Sequence, residues 1–300
     1  MDFIHNHTGE FAALLTAVFW TITSLSFESA SHRIGSLSVN ILRLIIGFAF
    51  LSVYNLFHRG IAFPTDAVTH NWIWLTLSGF VGFVFGDLFL FKSYTIIGSR
   101  FSMLIMTLVP PITAFFSFFM LGERLTLFNY LGMSLTFAGI ALAVLNRDGE
   151  NDRLSLKLSP RGVLYALGGA LGQALGLVLS KVGLQDYDPF AATQIRIIAG
   201  IAGFSVLIAF LGRWRNVVKA TADRSGMLFT VLGSFFGPFL GVSLSLISVK
   251  YTEAGIAATI MALVPVFIIL PAVVLYKQKV TWAEIAGAFL SVGGVALFFI

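Results

Sequence analysis

The sequence predicts an all-α integral membrane protein: ten transmembrane helices arranged as two inverted five-helix repeats. Three observations carry that prediction. Hydrophobic residues make up 57% of the 300 residues and charged residues only 11%, against roughly 25% charged in soluble domains. So little polar surface cannot cover a water-facing fold, and lipid must be the main solvent. Second, the apolar residues gather into ten runs of span length. Third, phrases of the first half return in the second, as "IMTLVP" at 105–110 and "IMALVP" at 260–265.

About 20 apolar residues cross the hydrocarbon core as a helix. Runs of that kind lie at 10–31, 38–57, 71–94, 99–121 and 127–146, then at 161–183, 189–211, 227–249, 254–276 and 281–300. The first is preceded by "MDFIHNHTGE", which has no Lys or Arg. It lacks the basic region of a secretory signal and is followed by too long a run, so it reads as a span that stays. Short gaps such as "GERLT" at 122–126 and "KQKVT" at 277–281 make sequential helices antiparallel neighbours. Thr281 and Glu284 fit a capping box before the last span, and Thr126 holds the matching place before the fifth. The long polar stretch "NRDGENDRLSLKLSPR" at 146–161 reads as a linker. The expected organisation is a first repeat at 1–146, a linker at 147–160 and a second repeat at 161–300.

The repeat extends beyond one phrase. "NILRLIIG" at 40–47 lies over "TQIRIIAG" at 193–200, which places Arg43 on Arg196. Pro110 lies on Pro265, Gly132 on Gly287 and Gly139 on Gly294. Ser78, Gly82 and Gly86 share the spacing of Gly233, Gly237 and Gly241. Small residues at every fourth position make a stripe where helix backbones approach closely. Five spans per half is an odd number, so the second half enters the membrane from the opposite side. That is the inverted-repeat arrangement of alternating-access transporters.

An Arg in the second span of each half, a Pro in the fourth, and "LGE" (Leu121, Gly122, Glu123) closing the fourth span resemble the EamA branch of the drug/metabolite transporter superfamily. "GDLFLFKSYTIIGSRFS" at 86–102 is similar to a variant of that pattern. "YKQ" at 276–278 stands where "LGE" stands in the first half, so that glutamate occurs once. The resemblance implies transport of small metabolites, often amino acids or related amphipathic solutes. It implies a cavity lined by the first, third and fourth spans with their repeat mates, and both termini in the cytoplasm.

Ionisable side chains inside spans are costly, which makes each a functional candidate. Glu28, Arg43, Asp87 and Lys92 all fall toward one side of the membrane, so Arg43 can pair with Asp87 or with Glu28. The readings stay open: a structural ion pair, or Arg43 snorkelling to the headgroups, or a coupling site where Asp87 or Glu28 exchanges a proton. Asp87 follows Gly86 on the small-residue stripe and should face other helices; its repeat mate is Val242. Arg196 and Lys181 stand where Arg43 and Glu28 stand in the first half. Either Asp186 and Asp188 neutralise Arg196, or Arg196 offers a cation to an anionic solute. Trp20 lies mid-span, and its mate is Gln173; both are candidates to line a solute site, with ordinary helix packing as the alternative. Each proline frees the carbonyl four residues back, Met106 for Pro110 and Met261 for Pro265. The paired kinks either shape packing or line the cavity as hinges. Glu123 and Arg124 read as a cap and an ion pair.

Other chemistries are excluded or not expected. With no cysteine, disulfides and thiolate metal sites are impossible. The five histidines fall in the tail and loops, so no metal centre is expected. No Walker loop or nucleophile elbow is present, and neither an enzyme nor a cofactor is expected. The net charge of +5 reads as topology signalling rather than nucleic-acid binding. About 14 of the 19 Lys and Arg fall with odd-numbered loops and about 5 with even-numbered ones. By the positive-inside rule both termini are then outside, the reverse of what the resemblance implies. The expected function is a secondary active transporter for a small metabolite in a bacterial or archaeal plasma membrane, as monomer or homodimer, with protons as a candidate coupling ion. The alternatives are an anion exchanger using Arg196 and Lys181, and a non-transporting scaffold or accessory subunit.

Overall fold

The computed structural model describes residues 7–145, 159–269, 271 and 282–299, and these form helices joined by short turns. In chain order the helices are α1 (Thr8–Ile34), α2 (Ser36–Arg59), α3 (Thr69–Ser99), α4 (Phe101–Leu121), α5 (Leu127–Leu145), α6 (Pro160–Leu184), α7 (Pro189–Phe210), α8 (Trp214–Ala220), α9 (Arg224–Tyr251), α10 (Ala254–Phe267) and α11 (Trp282–Ala296). Seven of them, α1–α4, α6, α7 and α9, are long and apolar enough to cross a membrane, while α5, α10 and α11 carry shorter apolar stretches. Residues 147–158 of the linker, residues 276–278, Thr281 and the Glu284 side chain lie outside the described residues, and Pro160, the linker's expected last residue, opens α6. Thr126 does cap α5, accepting from the Asn129 N–H at 3.3 Å.

The distribution of polarity is that of a protein dissolved in lipid. Phe57 and Phe210 are 86% and 87% exposed, whereas Asn55 and Gln194 are fully buried. Those two amides bond each other at 2.9 Å, as polar groups must where no water reaches them.

Repeat mates pack reciprocally. α5 lies on α11, α2 on α7 and α4 on α10. The first and third spans of each half exchange partners: α3 packs on α6, and its mate α9 packs on α1. The small-residue stripes make these crossings. A Cβ on Gly172 would lie 2.5 Å from the Gly86 Cα, and one on Gly176 2.8 Å from the Gly82 Cα. The Ser78 hydroxyl donates to the Gly176 carbonyl at 2.6 Å. On the other side, Gly233 and Gly237 receive Phe27 and Thr23, and Gly241 receives Trp20. One stripe therefore meets glycines, and the other makes room for the larger side chains of α1.

Four helix irregularities fall at matched places. In α3, Phe80–Asp87 is wound as a π-helix, and in α9 so is Phe235–Gly241. Ahead of Pro110 the chain tightens into a 3₁₀ turn at Met106–Leu108. Ahead of Pro265 the helix stops at Met261 and restarts at Val264. The prolines thus sit in the first turn of a restarted helix, where a missing N–H is no loss. The Met106 carbonyl is not free as expected, because the Val109 N–H donates to it.

Candidate functional site

The glycine crossing of α3 and α6 sets the site. Gly86 and Gly172 bring their neighbours Asp87 and Gln173 together, and Gln173 Nε2 donates to Asp87 Oδ1 at 2.5 Å. Arg43, from α2, donates through Nη2 to the other oxygen, Oδ2. Arg43 is itself oriented: its Nε donates to Asn40 Oδ1 at 3.3 Å, and Asn40 Nδ2 donates to the Ser36 carbonyl at 3.0 Å. Its guanidinium lies 4.7 Å from the Phe91 ring centre and 5.6 Å from those of Phe27 and Phe83. Arg43 and Asp87 are each only 4% exposed.

This pair stands on the wall of a cavity of about 120 Å³. That is below the roughly 300–1,000 Å³ of sites for drug-sized ligands, so the space suits a small solute. Trp20 and Gln173 line it, as do Met106, Met261, Pro265 and Arg196. Aromatic and thioether groups, among them Phe27, Phe83, Phe91, Tyr94 and Met103, make up much of the rest. Pro110 is buried beside the cavity but not on its wall, where Val109 stands instead.

Arg196 is the mate of Arg43 in an opposite condition. It is 4% exposed, its guanidinium lies 4.8 Å from the Phe83 ring centre, and its Nε has no partner. The cause is the broken symmetry of the repeat: Asp87 pairs with Arg43, but its own mate is Val242, which also lines the cavity. Two guanidiniums therefore share one carboxylate.

Several expected pairings are not formed. Glu28 does not reach Arg43. Its carboxylate accepts the Ser99 N–H at 3.1 Å and the Ser99 hydroxyl at 2.6 Å. The backbone breaks at Gly98, with φ 74°, so Ser99 opens the next helical run and Glu28 serves the orphan donors there. Lys92 is exposed, on a surface hollow shared with His32 and Arg213. Asp188 does not neutralise Arg196; it caps α7, accepting from the Ala191 N–H at 2.9 Å. Lys181 is also away from Arg196. It pairs with Glu123 at 2.5 Å and donates to the Thr252 carbonyl at 2.7 Å. Glu123, expected to pair with Arg124, instead binds Lys181 and accepts the Ala254 N–H at 2.9 Å. Among the described residues no group of three or more His, Cys, Asp or Glu could hold a metal ion.

Asn40 and Phe83 are site residues that the sequence reading missed. Asn40 was findable, since a residue three before Arg43 shares its helical face. Phe83 follows Gly82 on the stripe, and nothing in its spacing sets it apart from the other phenylalanines of that span.

A sequence model of the EamA-like transporter family matches residues 7–145 and again residues 160–300. The uncharacterized transporter YvbV of Bacillus subtilis (strain 168) is 28% identical over 189 residues, 63% of this chain. The match spans 59% of that relative's own length. An uncharacterized protein of Haemophilus influenzae is 28% identical over 117 residues, 39% of this chain and 86% of that protein. A protein crystal structure superposes with a TM-score of 0.70 at 19% identity, over 98% of this chain and 96% of the other, a likeness of fold.

Proposed function

The chain belongs to the EamA-like transporter family, and on that premise we propose that it is a secondary active transporter. It moves a small amphipathic metabolite across a bacterial plasma membrane by alternating access. One observation carries the reading: the cavity is built from both halves, and the helices around it are interrupted at matched positions. The π segments 80–87 and 235–241 form one pair, and the breaks ahead of Pro110 and Pro265 form the other. Interrupted helices around a central site at a repeat interface are the recurrent build of secondary transporters. With α5, α10 and α11 counted as spans, each half has five and the halves are inverted.

Two sets of ties fasten opposite ends of the bundle. At one end, Lys181–Glu123, Lys181–Thr252 and the Thr252 hydroxyl to Glu10 at 3.1 Å join α4, α6, α9 and α1. At the other, Glu28 holds Ser99, at the junction of α3 and α4, to α1. Alternating access opens one set while the other holds. Asp87 is the carboxylate on the cavity wall among the described residues, and proton coupling, on this reading, runs through it.

The chain has no cysteine, so single thiols report cleanly. A cysteine at Ser245 or Ala258, both on the cavity wall, should react with a membrane-impermeant reagent from either face of a vesicle. Labelling confined to one face under every condition refutes alternating access. In proteoliposomes, Asp87→Asn should abolish stimulation by a pH gradient; stimulation that survives removes the proton from the scheme. The basic odd-numbered loops place both termini outside. A C-terminal alkaline-phosphatase fusion should then be active and a fluorescent fusion dark, and the reverse pattern overturns that orientation.

A further inference from the structure

We propose that the solute of this cavity is a monoanion with an apolar body, a carboxylate carrying no ammonium group, and that Arg196 binds it. The inference rests on the transport reading for the solute's passage, but not for its binding.

The argument is one of charge. The described wall carries Arg43, Arg196 and Asp87 as its charged side chains. Both oxygens of Asp87 are engaged, one by Arg43 and one by Gln173. Among the described residues Arg196 makes no salt bridge of its own: its Nε is unpartnered, its guanidinium lies over the Phe83 ring, and Asp87, bonded to Arg43 and Gln173, attracts it only from beyond ion-pair contact. A buried charge is tolerable only when paired and hydrogen-bonded. A monoanion brings the site to neutrality. A zwitterion leaves the surplus positive charge, an amine doubles it and a dianion overshoots.

The acceptors tell the same story. An ammonium group seeks a carboxylate; Asp87 on the wall is already engaged, and Glu28 and Glu123 are committed elsewhere. Glu28 holds Ser99, and Glu123 holds Lys181 and the Ala254 N–H. Neither is on the cavity wall. The guanidinium fork matches a planar carboxylate with two parallel bonds. The surrounding Trp20, Phe27, Phe91, Met103, Met106 and Met261 suit a hydrocarbon body rather than further polar groups. The amino acids implied by family resemblance are thereby disfavoured against their deaminated counterparts.

The test is binding to the purified full chain in detergent, read by thermal shift and by tryptophan fluorescence, since Trp20 lies on the wall. The probes are straight and branched monocarboxylates of increasing length. Each is set against the amino acid, amine and amide of the same skeleton, as with 4-methylpentanoate, leucine, 3-methylbutylamine and 4-methylpentanamide. The acids should bind roughly 10- to 100-fold more tightly than their matched partners, the range of one charge-assisted bond in a buried site. Arg196→Gln should lose the response to acids while the free protein becomes more stable, because an uncompensated charge is gone. Arg196→Lys should keep a weakened response. Amino acids binding as tightly as the acids, acids binding Arg196→Gln as they bind the parent, or no acid binding at all would each overturn the inference. Acid binding without flux in proteoliposomes refutes the transport reading alone; flux of a zwitterion without acid binding refutes this one alone.

Discussion

Gly172→Ala tests whether the glycine crossing builds the site. The new Cβ would stand 2.5 Å from the Gly86 Cα and 2.8 Å from its nitrogen. Carbon atoms in contact settle at about 3.5–4.0 Å, so α3 and α6 must part by about 1 Å. The Gln173–Asp87 bond, 2.5 Å in the parent, would then stretch toward the limit of a hydrogen bond, about 3.5 Å. Overpacking costs about 1–3 kcal/mol, and loosening a bond to a buried carboxylate adds about 1.5–3 kcal/mol. Better helix propensity returns at most about 1 kcal/mol. The net loss is about 1.5–5 kcal/mol, read by reversible unfolding in mixed micelles with increasing SDS. Gly293→Ala is the internal control. Its Cβ meets nothing within 4 Å, so it should be neutral or stabilising by up to about 1 kcal/mol. A Gly172→Ala protein as stable as the parent, or a control equally destabilised, would refute the argument.

Three further outcomes follow from the pairings. Arg43→Gln removes the salt-bridge partner of Asp87 and should lose about 3–5 kcal/mol, while Arg196→Gln loses none; equal losses would contradict the assigned pairing. Glu28→Ala removes a helix cap and should cost about 1 kcal/mol with solute binding unchanged. A variant that folds well but no longer binds or couples would return Glu28 to the site. A double-mutant cycle on Glu123 and Lys181, partly exposed at 10% and 22%, should show a coupling of about 1 kcal/mol. Zero coupling would mean that the two do not tie that end of the bundle.

What the sequence made legible was whatever depends on solvent and on repetition. Apolar run length located the seven long apolar helices and, among the described residues, the shorter apolar stretches in α5, α10 and α11. Matching letters paired Arg43 with Arg196 and Trp20 with Gln173, and the structure brings all four to one cavity. The side of the membrane limited Arg43 to two acids, and Asp87 is the one it binds. Partner choice across long separations was not legible. Glu28 meets Ser99 71 positions away, and only the break at Gly98 supplies the orphan N–H that draws it. Pro110 misled for a related reason. Read as a mid-helix break it frees the Met106 carbonyl, but the chain tightens just ahead of it and the Val109 N–H takes that carbonyl. The π segments leave no letter pattern of their own; they coincide with the stripes, whose spacing is that of any close α-helical crossing.

The exchange of partners between halves also governs how the chain must be made. α3 can dock on α6 soon after the linker emerges, but α1 has to wait for α9. Thr16 of α1 approaches the carbonyl of Gly241, 225 positions later. At roughly 5–20 residues per second of synthesis, that delay is on the order of 10–45 s. Through it, the faces of α1 that will hold Gly233, Gly237 and Gly241 sit against lipid or a membrane chaperone. Neither half owns a finished core at any point during translation. A ribosome pause or truncation before α9 therefore leaves not a smaller working unit but an open one, a substrate for quality-control proteases.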